Sequence, residues 1–168
     1  TIKDTDCAVD LAKKEVLALR KKSCGKCTFC REGLYQISQI LEAVTAGRGT
    51  MDDLALAEEI GKAMEISCNC SLGDRAGFPA VSLLQAFGTE TEAHIRRKEC
   101  PAEVCLALTN FYIDPKLCVG SGECVDVCPE RCIEGKDGYV SKIDEFDCTR
   151  CGKCLDVCAQ GAVKKVSG

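Results

Sequence analysis

The chain has 168 residues, of which 16 are cysteines, a cysteine content far above ordinary usage. Tryptophan is absent and aromatic residues make up only 5% of the chain, which excludes a large aromatic core and favours cross-links through disulfides or metals. The formal net charge is −4 without a basic block, and no apolar run approaches the ~18 residues of a membrane span. Neither nucleic-acid binding nor membrane insertion is therefore expected.

Helical periodicity begins near the start of the chain. Apolar residues recur at helical spacing in three successive segments, 5–22, 31–46 and 52–66. Gly47 follows the second segment, at the position where a C′ glycine ends a helix. The predicted inward-facing stripes of the three helices are Val9, Ala12, Val16 and Leu19; Leu34, Ile37, Leu41 and Val44; and Leu54, Ala57, Ile60 and Met64.

Two further helices are predicted before residue 110. Pro79 is typical of a first helical turn, and the helix that it opens is expected to end at Gly88. Thr89 and Glu92 form the pattern of a capping box, which would start a fifth helix. We therefore predict that residues 1–110 form a helical domain with cysteine-bearing loops between its helices.

After residue 110, short segments alternate with glycines, and an internal repeat appears. A shift of 30 residues maps Ile113-Asp114 onto Ile143-Asp144 and also maps three cysteines onto three others. Ser121 breaks the pattern, because its counterpart is Cys151. We predict a second, small domain over residues 111–168, and hence an α+β chain.

The cysteines are grouped in C-x2-C triplets, which suit metal centres better than separate disulfides. The start of the chain, Thr1 to Asp6, is polar, so no secretion signal is expected. These features predict a reducing, cytoplasmic setting in which the thiolates bind metal.

The last cysteine run has the spacing C-x2-C-x2-C-x3-C, with Ala159 in the place of the usual proline. Together with the repeat, it makes residues 111–168 resemble the two-cluster bacterial ferredoxins, in which the fourth cysteine of each run ligates the cluster of the other run. The resemblance implies a [4Fe–4S] cluster whose ligands are Cys128, Cys148, Cys151 and Cys154. A structural zinc ion on the same four thiolates is the alternative.

The other ferredoxin cluster site departs from that pattern at Ser121. It resembles the seven-iron ferredoxins, in which this position is not cysteine and the cluster is [3Fe–4S]. The resemblance implies a [3Fe–4S] cluster on Cys118, Cys124 and Cys158, with Cys132 left free. Two alternatives stay open, namely a [4Fe–4S] cluster with the Ser121 oxygen or water on the fourth iron, and a degenerate, empty site.

A third cysteine run lies nearer the N-terminus. It reads S-C-G-K-C-x2-C-R-E-G from Ser23 to Gly33, and C-x-L-G follows at Cys70. This combination resembles the C-terminal iron–sulfur domain of the NADH-binding flavoprotein subunit of complex I, which the beta subunits of NAD-linked bifurcating hydrogenases share. The resemblance implies a helical bundle with a [4Fe–4S] cluster whose ligands are Cys24, Cys27, Cys30 and Cys70. Cys70 is preferred to Cys68 because Leu72-Gly73 follow it in register, and zinc on the same thiolates is the alternative.

The segment just before the ferredoxin repeat has the spacing H-x5-C-x4-C, from His94 to Cys105. Imidazole and thiolate are typical ligands of closed zinc sites. Since Cys68 is left over from the first cluster, we predict a zinc site formed by Cys68, His94, Cys100 and Cys105. A solvent-facing histidine beside two buried thiols is the alternative. Cys7 is predicted to be a small apolar residue on the first helix.

The family resemblance also indicates what a partner must supply. Only 23 residues precede Cys24 and no G-x-G-x-x-G occurs, so we expect a partner polypeptide to bind NADH and the flavin, FAD or FMN. The sequence therefore predicts a non-catalytic iron–sulfur subunit of a cytoplasmic, flavin-dependent oxidoreductase complex. It would relay single electrons between a partner flavoprotein and another redox centre. The alternatives are a stand-alone soluble ferredoxin-type carrier and a zinc-stabilised interaction module.

Overall fold

The computed structural model describes residues 6–73 and 75–167. They fall into two compact units that divide between Leu108 and Thr109, whereas the sequence placed the boundary after residue 110. The first unit is helical and the second contains small antiparallel sheets, so the predicted α+β class is confirmed. Within the described ranges, no helix combines the length and the apolar character that a membrane crossing requires.

Three long helices form the body of the first unit. They are α1 (Ala8–Lys22), α2 (Thr28–Thr45) and α3 (Met51–Ser67). Gly47, with φ of 74°, follows α2 at the C′ position, as its place in the sequence predicts. Thr50 starts α3 through a capping box with Asp53, in which each side chain bonds the backbone N–H of the other residue.

The core of the first unit lies where α2 packs against α1 and α3. The four stripe residues predicted for α2 are fully buried, and so are Val9, Ala12 and Val16 of α1. Ala57 and Met64 of α3 are also buried, while Leu19, Leu54 and Ile60 lie at the edge of the core. Gly33 lets α2 and α3 approach closely, because a Cβ atom there would lie 2.8 Å from Cγ of Met64.

Two shorter helices complete the first unit, α4 (Phe78–Ala86) and α5 (Gly88–Glu92). The capping box predicted at Thr89 does not form, because Thr89 lies inside α5 and Phe87 precedes the helix without a side-chain cap. The turn between α4 and α5 is held instead by Thr91, whose hydroxyl donates to the Phe87 carbonyl at 3.0 Å. Helix α5 continues directly into a π-helical turn, Ala93–Arg97.

The second unit consists of two matching halves. Strand β1 (Thr109–Ile113) pairs with β4 (Val163–Ser167), and β2 (Ile133–Glu134) pairs with β3 (Lys142–Ile143), both antiparallel. The short helices α6 (Glu123–Asp126) and α7 (Lys153–Val157) occupy corresponding places in the two halves.

Corresponding hydrogen bonds join the halves. The N–H of Asp114 donates to the Ala162 carbonyl at 2.8 Å, and the N–H of Asp144 donates to the Cys132 carbonyl at 2.7 Å. Gly122 and Gly152, which precede α6 and α7, both have positive φ. The repeat in the sequence is therefore also a repeat of structure.

Candidate iron–sulfur and zinc sites

The first candidate site lies at the N-terminal end of α2. Cys27 is the residue before the helix and Cys30 lies in its first turn, where backbone N–H groups have no partner within the helix. The N–H of Cys30 and the thiol of Cys68 hold the pKa of Cys27 below its usual value. Sγ of Cys68 lies 3.5 Å from Sγ of Cys27. A helix N-terminus favours thiolates, which are the form that binds iron.

Two loops flank this site. Cys24 is exposed in the loop before α2, and the Arg31 guanidinium braces this loop by donating to the Gly25 carbonyl at 2.9 Å. Cys70 is exposed in the loop after α3, and its Sγ accepts the N–H of Gly73 at 3.4 Å. The predicted ligands therefore lie on both sides of the α2 N-terminus.

The predicted zinc set is corrected at one position. The ligand atoms of Cys7, His94, Cys100 and Cys105 all lie within 4.8 Å of one another, and all four residues are buried. Cys7 is the residue before α1, and the packing of α1 against α4 and α5 carries it to His94. Cys68 follows the end of α3 that faces Cys27, so it lies at the first candidate site instead.

The distances within this group fit a tetrahedral zinc ion. Sγ of Cys7 lies 3.7 Å from Sγ of Cys105 and 3.3 Å from Nε2 of His94. Zinc–sulfur bonds of about 2.3 Å place two sulfurs of a tetrahedron about 3.8 Å apart. Nδ1 of His94 lies 2.8 Å from the Glu90 carbonyl, which can only accept, so Nδ1 carries the proton and Nε2 is the ligand atom.

The electrostatics of the same group favour a bound cation. Burial opposes a charged His94, but hydrogen bonds with Cys100 and Cys7 outweigh it and raise the pKa of His94 to about 10. Hydrogen bonds from Cys105 and Cys7 hold the pKa of Cys100 well below its usual value. A buried thiolate is thus stabilised by the protons of its neighbours, and a dication would take the place of those protons.

The second unit has two cysteine-lined cavities, one for each predicted ferredoxin cluster. The lining of the first includes Cys128, Cys148, Cys151 and Cys154, together with Cys132. The lining of the second includes Cys118, Ser121, Cys124 and Cys158. Each cavity combines cysteines of one run with the last cysteine of the other, which is the arrangement that crossed ligation requires.

Backbone N–H groups point at several of these sulfurs. The N–H of Ala162 donates to Sγ of Cys158 at 3.3 Å, and the N–H of Arg150 donates to Sγ of Cys148 at 3.4 Å. Cys132 lies beside a predicted ligand, with its Sγ 3.4 Å from that of Cys128. Burial, together with the bond to Cys128, raises the pKa of Cys132 to about 12. Cys132 is therefore a fifth thiol in the first cavity.

Two family models match the chain. Residues 10–94 match the NADH-ubiquinone oxidoreductase-F iron–sulfur binding region, and residues 110–159 match a 4Fe-4S dicluster domain. Both matches coincide with the regions in which the sequence showed the corresponding resemblance. Both family resemblances predicted from the sequence are therefore confirmed.

Curated relatives match large parts of the chain. The chain is 39% identical over 132 residues to the NADP-reducing hydrogenase subunit HndC of Solidesulfovibrio fructosivorans, covering 79% of this chain and 27% of that protein. It is 39% identical over 98 residues to the F subunit of NADH-quinone oxidoreductase from Streptomyces coelicolor, covering 58% of this chain and 22% of that protein. The chain thus spans about a quarter of the length of these relatives. By its match over half of the chain, it belongs to the NADH-ubiquinone oxidoreductase-F iron–sulfur binding region family and carries a 4Fe-4S dicluster domain in addition.

Proposed function

We propose that this chain is the iron–sulfur relay of a cytoplasmic, flavin-dependent oxidoreductase complex, in which it passes single electrons between a partner flavoprotein and another redox centre. The observation that carries the proposal is the presence of three thiol-lined sites in one chain, one at the N-terminus of α2 and two in the ferredoxin-like unit. Bound iron–sulfur clusters would supply one-electron carriers, whose potentials depend on charge, burial and hydrogen bonds to sulfur.

The placement of the thiols supports the ligand sets that the family resemblance implies. One [4Fe–4S] cluster is assigned to Cys24, Cys27, Cys30 and Cys70, and another to Cys128, Cys148, Cys151 and Cys154. A [3Fe–4S] cluster is assigned to Cys118, Cys124 and Cys158. In all three sites the chain supplies the thiolates, and backbone N–H groups donate to some of their sulfurs.

A zinc ion on Cys7, His94, Cys100 and Cys105 is proposed to be structural. Four protein ligands fill a tetrahedral shell and leave no open position for a substrate or a water molecule. The site joins the start of α1 to the segment after the π-helical turn, so its role is to hold the ends of the first unit together.

Exposed apolar side chains beside the cluster sites support docking to redox partners. Phe29 is 52% exposed between Cys27 and Cys30, and Ile66 is 85% exposed near the end of α3. Val119 and Tyr139 are exposed near the Ser121 site. Because the net charge is only −4, apolar contact rather than charge would dominate such an interface. Co-purification with a flavin-containing polypeptide that persists at high salt is the expected result, and its loss at high salt would contradict apolar docking.

Metal analysis tests the relay proposal directly. Anaerobically purified chain is expected to contain about 11 irons and about one zinc, with the three-iron EPR signal in the oxidised protein and the two cubane signals after reduction. About four or eight irons would show that at least one thiol site does not hold a cluster. A colourless protein that contains only zinc would contradict the electron-transfer proposal.

Replacing Ser121 with cysteine should convert the three-iron site into a cubane. Ser121 lies in the same cavity as Cys118, Cys124 and Cys158, at the place that Cys151 occupies in the other half of the repeat. The iron content is expected to rise to about 12, with loss of the three-iron EPR signal of the oxidised protein. Ser121→Ala is the control and should keep that signal. A signal that survives unchanged in Ser121→Cys would contradict the three-iron assignment.

A further inference from the structure

Cys68 has no place in the ligand sets assigned above. Cys7 completes the zinc group, so the role predicted for Cys68 from its spacing is already filled. The structure places Cys68 at the first cluster site, with its Sγ 3.5 Å from that of Cys27. With Cys24, Cys30 and Cys70, this site therefore has five thiols, although a cubane needs four.

The position of Cys68 follows from the packing of two helices. Its N–H donates to the Met64 carbonyl at 3.0 Å, which continues the hydrogen-bond pattern of α3. Met64 itself is buried against Gly33 of α2. On the other side, a Cβ atom on Gly73 would lie 3.0 Å from Sγ of Cys68. Cys68 is thus held between the end of α3 and the loop that follows it.

Cys70 is held less firmly. It lies two residues further along the same loop, is exposed, and has the N–H of Gly73 as a hydrogen-bond donor to its Sγ. Cys68 is only partly exposed. Solvent and oxidants therefore reach Cys70 more readily than Cys68.

We propose that Cys68 is a reserve ligand, which can replace Cys70 on the fourth iron of the first cluster. The inference rests on the proposed function, because it needs a cluster at this site. In the exchange, the Cys68 thiol releases a proton to solvent and forms an S–Fe bond. The S–Fe bond of Cys70 breaks, and its thiolate takes up a proton. No electron is transferred, so the oxidation states of iron and sulfide stay the same.

The two ligation states should differ in reduction potential. The Gly73 N–H stabilises negative charge on Cys70, and such hydrogen bonds favour the reduced cluster. When Cys68 is the ligand, the cluster loses the hydrogen bond that the Gly73 N–H donates to Sγ of Cys70. The midpoint potential of the first cluster is therefore expected to be lower with Cys68 than with Cys70.

Full-length Cys68→Ala, Cys70→Ala and the double variant, each reconstituted anaerobically with iron and sulfide, test the inference. Each single variant is expected to keep about 11 irons, and the double variant is expected to lose iron from the first site. Cys70→Ala should also show an altered EPR signal and a lower midpoint potential for this cluster. Ser71→Ala, which changes an exposed residue of the same loop without touching a thiol, should match the wild-type chain.

Two results would overturn the inference. If Cys70→Ala loses as much iron as the double variant, Cys68 does not replace it. If Cys68→Ala alone loses that iron, Cys68 is the fixed ligand and no exchange exists. The corresponding valine variants, whose side chains offer no ligand atom, repeat the comparison where an alanine variant does not fold. Absence of the first cluster from the wild-type chain would refute the proposed function instead, so the two failures are distinguishable.

Discussion

Cys7→Ala is expected to release the zinc ion and to lower the melting temperature of the first unit by more than about 10 °C. Cys7 is 2% exposed, and its Sγ lies within 3.7 Å of ligand atoms of Cys105 and His94. Removing one ligand leaves the others buried without their cation. Loss of a structural metal is among the largest effects of a single substitution, so about 3 kcal/mol is a conservative expectation. In a domain of this size, each kcal/mol shifts the midpoint by about 4–8 °C.

Cys68→Ala is the matched control for this variant. It also removes one thiol from the first unit, but Cys68 lies beside Cys27 rather than in the zinc group. It should retain about one zinc per chain, as measured by metal analysis. Chelation of zinc from the wild-type chain should reproduce the melting temperature of Cys7→Ala. Zinc that stays in Cys7→Ala and leaves Cys68→Ala would restore the ligand set predicted from the spacing.

Gly120→Ala is expected to remove the cluster at the Ser121 site and to destabilise the second unit by about 3 kcal/mol or more. Gly120 has φ of 72°, a conformation that alanine adopts only with strain. A Cβ atom there would lie 2.5 Å from the backbone nitrogen of Tyr139 and 2.6 Å from its carbonyl oxygen. Because these are backbone atoms, no side chain can rotate away, and the loop that carries Cys118 must shift. Iron content and thermal unfolding measure the effect.

Gly122→Ala separates the strain of a positive φ from the steric clash with the Tyr139 backbone. Gly122 has φ of 77°, but a Cβ atom there would have no neighbour within 4 Å. It should therefore show only the conformational penalty, on the order of 1 kcal/mol, and keep its iron. Equal loss of iron and stability in both variants would show that the close approach of Tyr139 to Gly120 does not contribute.

The features predicted best from the sequence are those that depend on residues close together in the chain. The stripe of α2 and the C′ glycine at Gly47 depend on neighbouring residues, and both are confirmed by burial and by backbone geometry. The ferredoxin repeat is also visible as spacing, and its two halves have corresponding hydrogen bonds at Asp114 and Asp144.

Cys7 is buried in the core, as a small apolar residue would be, but no pattern in the sequence indicates that it meets His94. His94 lies 87 residues away in the sequence, and only the packing of α1 on α4 and α5 joins them. No spacing rule describes that distance, whereas Cys68 lay closer in the sequence and had no other role. The capping box predicted at Thr89 is absent because the tight turn after α4 starts α5 at Gly88. Thr89 therefore lies inside the helix.

The zinc group also has a consequence for the order in which the chain assembles. Cys27 and Cys68 are 41 residues apart, whereas Cys7 and Cys105 are 98 residues apart. The entropic difference between closing these two loops is less than about 1 kcal/mol, so loop length alone does not decide which closes first. The direction of synthesis decides which loop closes first, because Cys24 to Cys70 leave the ribosome before Cys100 and Cys105. The proposed iron site can therefore form around α2 and α3 before Cys7 meets its partners, and binding of the proposed zinc ion would be the step that completes the first unit.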